Sequence, residues 1–400
     1  MRKLRSVGII PAVAVVLLAA ACGTSSTPNS ASKTPNASGA PSSSAAPSST
    51  GTDADPITIK VGKLNFDFTK YCPSKPTVVA ILDGYGGNAW AVGKRAMLTK
   101  LAKSCPNVTK VLYADANGDV QKYIAAIGSF VAQGANVIET FDLFGQAPVP
   151  AFTKAQKQGV LIGAANAVPG TGQVPGDLTS VVIPDFDKEA AIWVEFLTKA
   201  TNNKGQIAYV GGPAGNLFDG PALAAVQKAV KDQGSGIQIV TPESLVGAWD
   251  PATTQQVTTG LLQKNSKVNG VILSYSATGP AVVRAFVAAG LPLPAIAGQS
   301  SSMELVCLVH SKQPTNPTFQ VQSLDATANL DAIALAKILA VRSGVSAPEL
   351  GPDNGVTQVT YAQYINTVTG VLPACDSSVP PGADLSMALD KADLLAAFTK

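Results

Sequence analysis

Thr77-Val-Val-Ala-Ile-Leu82, then Asp83-Gly-Tyr-Gly-Gly87, then apolar residues at helical spacing from Trp90 to Ala102, is the stretch that decides the fold. A short β-branched, apolar run reads as a buried strand, and a period near 3.6 after it reads as a helix. Together they make half of a βαβ unit, and the same unit recurs along the chain. Strand-like runs at 110–113, 136–139 and 160–163 alternate with helical segments at 120–133 and 149–158. After Thr179-Ser-Val-Val-Ile183 a second series begins, with helices at 188–200, 220–233, 251–263 and 279–289. Its strands fall at 206–210, 237–240, 270–273 and 295–297. Strands separated by helices of this length imply parallel sheets with right-handed crossovers. The expected class is therefore α/β, with two doubly wound parallel-sheet lobes. Ligands bind such sheets outside the carboxyl ends of the strands, so two facing lobes would share one cleft.

Upstream of this body the composition changes. Met1-Arg-Lys-Leu-Arg5 is basic and runs into an apolar stretch from Val7 to Ala21 that only Gly8 and Pro11 interrupt, the form of an export signal. The stretch is shorter than the about 20 apolar residues of a membrane helix. Ala19-Ala20-Ala21 before Cys22-Gly23 reads as a cleavage site, and it resembles the lipobox of bacterial lipoproteins. That resemblance implies a diacylated Cys22 and a protein anchored outside the cytoplasm on the bacterial cell membrane. From 23 to 55 the chain is almost entirely Ser, Thr, Pro, Ala, Asn and Gly with no aromatic residue, too little apolar surface to offset ordering entropy, so it reads as a stalk. The expected plan is a signal at 1–21, a lipidated cysteine and stalk at 22–55, lobe one at 56–184 plus 323–352, and lobe two at 185–322 plus 353–400.

The charge balance, 29 basic against 26 acidic residues, supplies no basic stripe for nucleic acid. One histidine, His310, and no CxxC spacing give no metal site, and no cofactor motif is present. Apart from Cys22 the cysteines number four, which in an exported chain favours disulfides. Cys72 precedes the first strand and Cys105 ends the helix after it, so these two are expected to pair, leaving Cys307 with Cys375.

From about 76 to 345 the order of elements resembles the type I periplasmic-binding-protein family, in its ribose-binding branch of sugar receptors. The resemblance implies two lobes joined by a three-segment hinge, crossing near Ile183-Pro184-Asp185, Gln322-Ser-Leu-Asp325 and 352–355. Asn88-Ala89-Trp90-Ala91 stands where the family carries an Asn and aromatics, implying that Trp90 stacks on a sugar face and Asn88 meets hydroxyls. The Asp-Arg pair usual after the fourth strand is Ala165-Asn166 here, leaving Asn166. The loop Gly212-Pro-Ala-Gly-Asn-Leu-Phe-Asp219 matches the family's glycine-rich loop without its Arg, leaving Asn216, Phe218 and Asp219. An Asn-Asp pair is replaced by Tyr275-Ser276 and an Asp by Gln299-Ser300, while the hinge Gln survives as Gln322. The implied ligand-binding set is Asn88, Trp90, Asn166, Asn216, Phe218, Asp219, Tyr275, Ser300 and Gln322.

Most formal charges of a ribose-type site are missing from this set. Burying an unpaired charge costs several kcal/mol, so a neutral, sugar-like ligand is expected. Phe141-Asp142-Leu-Phe144 should also face the cleft, its aromatics serving equally as core or wall. Asp185 reads equally as a helix cap, Trp249 as packing at a helix entrance, and His310 as a surface-loop residue. The segment 384–398 looks helical, pinned by Cys375. The function implied is a monomeric receptor that hands its ligand to ABC permease subunits. A sensor feeding a membrane kinase is the alternative. A glycoside hydrolase with Asp83 and Asp219 across the cleft is a weaker one, since there is no GxSxG elbow and no Ser/His/Asp spacing.

Overall fold

A computed structural model describes residues 57–58, 61–170, 174, 176–352 and 355–398. The expected signal at 1–21, Cys22 and the stalk at 22–55 lie outside these residues. The first half of the body contains β1 (Ile57–Thr58), β2 (Thr77–Asp83), α1 (Ala89–Lys103), β3 (Val108–Asp115), α2 (Val120–Ala132), β4 (Val137–Phe141), α3 (Val149–Lys157), β5 (Leu161–Ala165) and β6 (Ser180–Pro184). The second contains α4 (Phe186–Ala200), β7 (Gln206–Gly211), α5 (Asp219–Asp232), β8 (Gln238–Ile239), β9 (Leu245–Val246), α6 (Pro251–Lys264), β10 (Gly270–Leu273), α7 (Gly279–Ala288), β11 (Ala295–Gln299), α8 (Met303–Lys312) and β12 (Val321–Asp325). The chain ends with α9 (Asn329–Ser343), β13 (Val356–Thr360), β14 (Ala362–Asn366) and α10 (Lys391–Phe398).

Sheet one is parallel throughout, in the order β1-β13-β6-β5-β4-β2-β3. Sheet two runs β14-β12-β11-β10-β7-β8, with β9 also on β7, and only its β12–β14 pair is antiparallel. Helices cover both faces, so the central strands are apolar on both sides rather than alternating. Pleating then sends neighbouring residues of one strand to different cores. Val79 and Ile81 of β2 join the large core that continues into lobe two, while Ala80 and Leu82 join a second core with Ile138 and Ile162.

The lobes exchange the chain at three points. The first lies between Pro184 and Phe186, where Asp185 caps α4 by accepting from Lys188 N at 3.1 Å. The second lies between Asp325 and Asn329, later than the expected break after Gln322, because all of β12 is paired in sheet two. The third is Tyr361. The expected crossing at 352–355 is displaced because β13 pairs in parallel with β6, Val356 opposite Val181 and Val359 opposite Pro184, and so belongs to lobe one. An alternating run such as Val356-Thr-Gln-Val-Thr360 announces a strand but not which sheet will take it.

Disulfides join Cys72 to Cys105 and Cys307 to Cys375, with Cα–Cα separations of 5.1 and 4.7 Å. His310 sits on helix α8 rather than in a loop, and its Nε2 lies 2.8 Å from the Pro373 carbonyl beside the second disulfide. Within the expected helix at 384–398 only 391–398 is helical. The tail leaves lobe two along Ser301–Met303 and ends with α10 packed on α1 of lobe one, so it does not stay in lobe two as expected. No helix of the described residues is long and apolar enough to cross a membrane.

Candidate functional site

The two sheets present their carboxyl ends to each other, and the loops there enclose one cavity. Lobe one contributes Asn88 and Trp90 after β2, Phe141 at the end of β4 and Asn166 after β5. Lobe two contributes Phe218 after β7, Trp249 after β9, Ser274 and Tyr275 after β10, and Gln299 and Ser300 at the end of β11. Thr327 closes the back, in the second crossing.

Each wall residue is held by a local cause. Asn88 is the N-cap of α1 and accepts from Ala91 N at 2.9 Å, which fixes where the helix starts and so where Trp90 stands. The Trp90 indole donates to Thr327 Oγ1 at 2.8 Å, and that hydroxyl lies 2.6 Å from Ser300 Oγ. Across the lobes, Trp90 N donates to the Tyr275 hydroxyl at 3.2 Å. The Trp249 indole donates to Ser274 Oγ at 2.9 Å. Its ring lies against Gly212, where a Cβ would come within 2.3 Å of the indole. Phe141 packs edge-on against Trp90 at 5.4 Å and reaches Trp249 of the other lobe at 6.0 Å. With the rings so close, the free space is only about 40 Å³, room for a water or two. The lobes are shut, and the walls must part to admit a larger guest.

Three wall residues, Asn166, Trp249 and Ser300, have left-handed backbones with φ of 66°, 51° and 58°. Such strain persists only where its surroundings enforce it, and it concentrates at ligand sites. Spare hydrogen-bonding capacity is also present. Gln299 donates to Ser274 O at 3.3 Å, and its buried Oε1 has no partner among the described residues.

Behind the lobe-one wall lies a buried ionic cluster. Lys94 of α1 is paired with Asp83 at the end of β2 and lies 3.5 Å from Asp331 of α9, with Glu139 of β4 alongside. Burial works against the Lys94 charge, yet Asp83, Glu139 and Asp331 hold its pKa above the ordinary lysine range. Burial pushes the carboxyls of Glu139, Asp83 and Asp331 up, with Lys94 opposing the shift. The ammonium sits 5.1 Å from the Trp90 ring centre and 5.8 Å from that of Phe141.

Of the nine expected ligand residues, Asn88, Trp90, Asn166, Phe218, Tyr275 and Ser300 line the cavity, and Asn216, Asp219 and Gln322 do not. Asp219 is turned back into its own loop, accepting from Gly212 N and Asn216 Nδ2, each at 2.7 Å, so both residues build the loop that presents Phe218. Gln322 is buried inside sheet two, opposite Ala297 and Asn366. Asn166 donates to Asp331 at 2.8 Å and accepts from the Tyr361 hydroxyl at 3.0 Å, so it ties the cavity floor to the ionic cluster and the third crossing. The lining also takes in Phe141, from the segment expected to face the cleft, together with Trp249, Ser274, Gln299 and Thr327, which stand outside the expected set. Trp249 carried a usable signal, because Asp250-Pro251 marks a helix start and places the Trp just before it, at a strand's carboxyl end. Asp83 and Asp219, the carboxylates of the hydrolase reading, are both absent from the cavity lining, Asp83 being paired with Lys94 and Asp219 bound within its own loop. Among the described residues no cluster of His, Cys, Asp and Glu is placed to hold a metal ion.

The sequence profile of the periplasmic binding protein domain matches residues 79–336, well over half of the chain. The chain belongs to that family. Solved structures agree at the level of the fold. The periplasmic binding protein component of the arabinose ABC transporter from Shewanella sp. ANA-3 aligns with 16% identity and a TM-score of 0.62, over 73% of this chain and 93% of its own. An ABC transporter solute binding protein from Agrobacterium vitis, bound with alpha-D-tagatopyranose, gives 15% identity and a TM-score of 0.62, over 75% and 97%. One from Thermobispora bispora DSM 43833 gives 19% identity and a TM-score of 0.59, over 77% and 90%. Comparison with curated proteins finds no match. As in other periplasmic binding protein domains, the extracytoplasmic side is where this body belongs, and its two sheets meet over a single cleft.

Proposed function

We propose that this protein is the solute-binding receptor of an ABC importer, and that it closes on a neutral, sugar-like molecule between its lobes. One observation carries the reading. The cavity wall combines five aromatic side chains with amides and hydroxyls, and none of its residues is ionised at neutral pH. Aromatic faces suit the C–H faces of a sugar ring, and the amides and hydroxyls suit its OH groups. A charged ligand would be buried there without a partner, at a cost of several kcal/mol. The structural neighbours that bind arabinose and tagatopyranose support this class. Binding without turnover fits the engagement of Asp83 and Asp219 elsewhere. Diacylation of Cys22 would keep the receptor beside its permease, and a monomer suffices for that task.

The test is a thermal-shift screen of pentoses, hexoses, polyols and nucleosides, followed by calorimetry, because a ligand bound only by the folded state raises its melting temperature. At least one neutral member should bind in the micromolar range or tighter. Trp249→Ala should weaken that binding by about 1–3 kcal/mol, as loss of a stacked ring at a buried site does. Silence across the screen, or preference for carboxylated or phosphorylated members, would sink the reading.

A further inference from the structure

Residues 375–398 hold the two lobes together at a place that hinge motion must disturb. On lobe two the tail is bound covalently by Cys307–Cys375 and then by backbone bonds. Met303 N donates to Ala383 O at 3.2 Å, Glu304 N to Pro381 O at 2.7 Å, and Leu385 N to Ser301 O at 3.0 Å. Two residues further on, the tail is already on lobe one. Met387 lies against Gly93 of α1, where a Cβ would come within 2.6 Å of its methyl carbon, and Ala388 N lies 3.3 Å from Met97 Sδ. Lys100 then pairs with Asp390 at 3.3 Å and with Asp393. Gly93, Met97 and Lys100 are spaced i, i+4, i+7 and form one stripe of α1, the helix whose first turn carries Trp90. Leu385 and Met387 are buried, so the passage between lobes is packed and not a surface thread.

We propose that residues 381–398 act as a latch that must let go of α1 before the cleft can open. Two residues of chain reach about 7 Å at most. The lobes therefore cannot part at this edge while both Leu385 and Met387 keep their places. The lobe-two arm is fixed by a disulfide and the lobe-one arm by side-chain packing and exposed ion pairs, so the lobe-one arm is the one that yields. The latch thereby sets how readily a bound molecule escapes. This inference deepens the receptor reading and shares its cleft, but its test needs no ligand.

Acrylamide quenching of tryptophan fluorescence in the full chain provides the readout. The chain has three tryptophans, of which Trp193 is in the core while Trp90 and Trp249 become accessible only when the cleft opens. A chain ended after Ser386 keeps the lobe-two arm and the disulfide and loses the arm on α1. It should show a quenching constant raised by about twofold or more, as the open population grows. Lys100→Glu, which sets a like charge against Asp390 and Asp393, should move in the same direction, and adding Asp390→Lys with Asp393→Lys should reverse it. That charge-swap series stands by itself if the shortened chain fails to fold. Quenching equal to the parent in every folded variant would overturn the latch, even if the sugar screen gave a ligand. A silent screen with raised quenching would leave the latch standing and remove the receptor reading.

Discussion

Lys94 shows what a single side chain is asked to do behind the binding wall. Its ammonium neutralises part of a cluster of three buried carboxyls, and the cluster supports the helix start that aims Trp90. Removing one partner from such a network leaves uncompensated buried charge, which typically costs about 3–5 kcal/mol. Lys94→Met should therefore lower the unfolding free energy by that amount, read as a lower urea midpoint at unchanged slope, and an unaltered midpoint would show that the carboxyls simply take up protons. Residue identities in the wall were partly legible before any coordinates. Asn88 and Trp90 follow a glycine-rich loop at a strand end, so both could be placed from local pattern, whereas the capping of α1 by the Asn88 side chain emerges only from the structure. Asp219 and Asn216 could not be, because a carboxylate in a loop looks the same whether it faces a ligand or accepts its own loop's amides, as here. Thr327 was hidden for another reason, since its place in the cavity follows from where the second crossing falls.

Among the elements, α1 is where the cleft, the ionic cluster and the tail converge. The Cys307–Cys375 bond spans 68 residues and fixes the base of the tail that reaches this helix. Replacing both cysteines by Ser should cost roughly 4 kcal/mol, the value expected when a loop of that length is no longer closed in the unfolded chain. It should also raise amide exchange along 376–389 before the rest of lobe two, and uniform exchange across the lobe would count against this division. Strand and helix positions were readable because buried β-branched runs and 3.6-residue spacing are properties of the local chain. Sheet membership was not, because β13 and β14 are separated by Tyr361 alone and go to different sheets. Choosing between sheets depends on distant partners, since β13 pairs with β6, whose Val181 lies opposite Val356, and β14 with β12, whose Gln322 lies opposite Asn366.

For the molecule as a whole, buried acids make stability depend on pH in a stated direction. Burial raises Asp142 to about 7, against the amides of Phe144 and Leu143, and raises Asp384 to about 8, helped by Asp325. Each keeps a proton in the folded state that the unfolded chain gives up above about pH 4, so folding becomes less favourable as pH rises from there to the raised values. The melting temperature should fall between pH 5 and pH 8. Asp142→Asn, which still accepts from Phe144 N, should flatten that fall, whereas a parallel displacement of the whole curve would contradict it. The short strand β1 has its own whole-molecule effect. By lying beside β13 at Val359 and Thr360 it covers one end of the outer row of amides and carbonyls of sheet one. A recombinant body trimmed to start at Val61 would bare that row, offer it to identical copies, and trade a clean preparation for self-association.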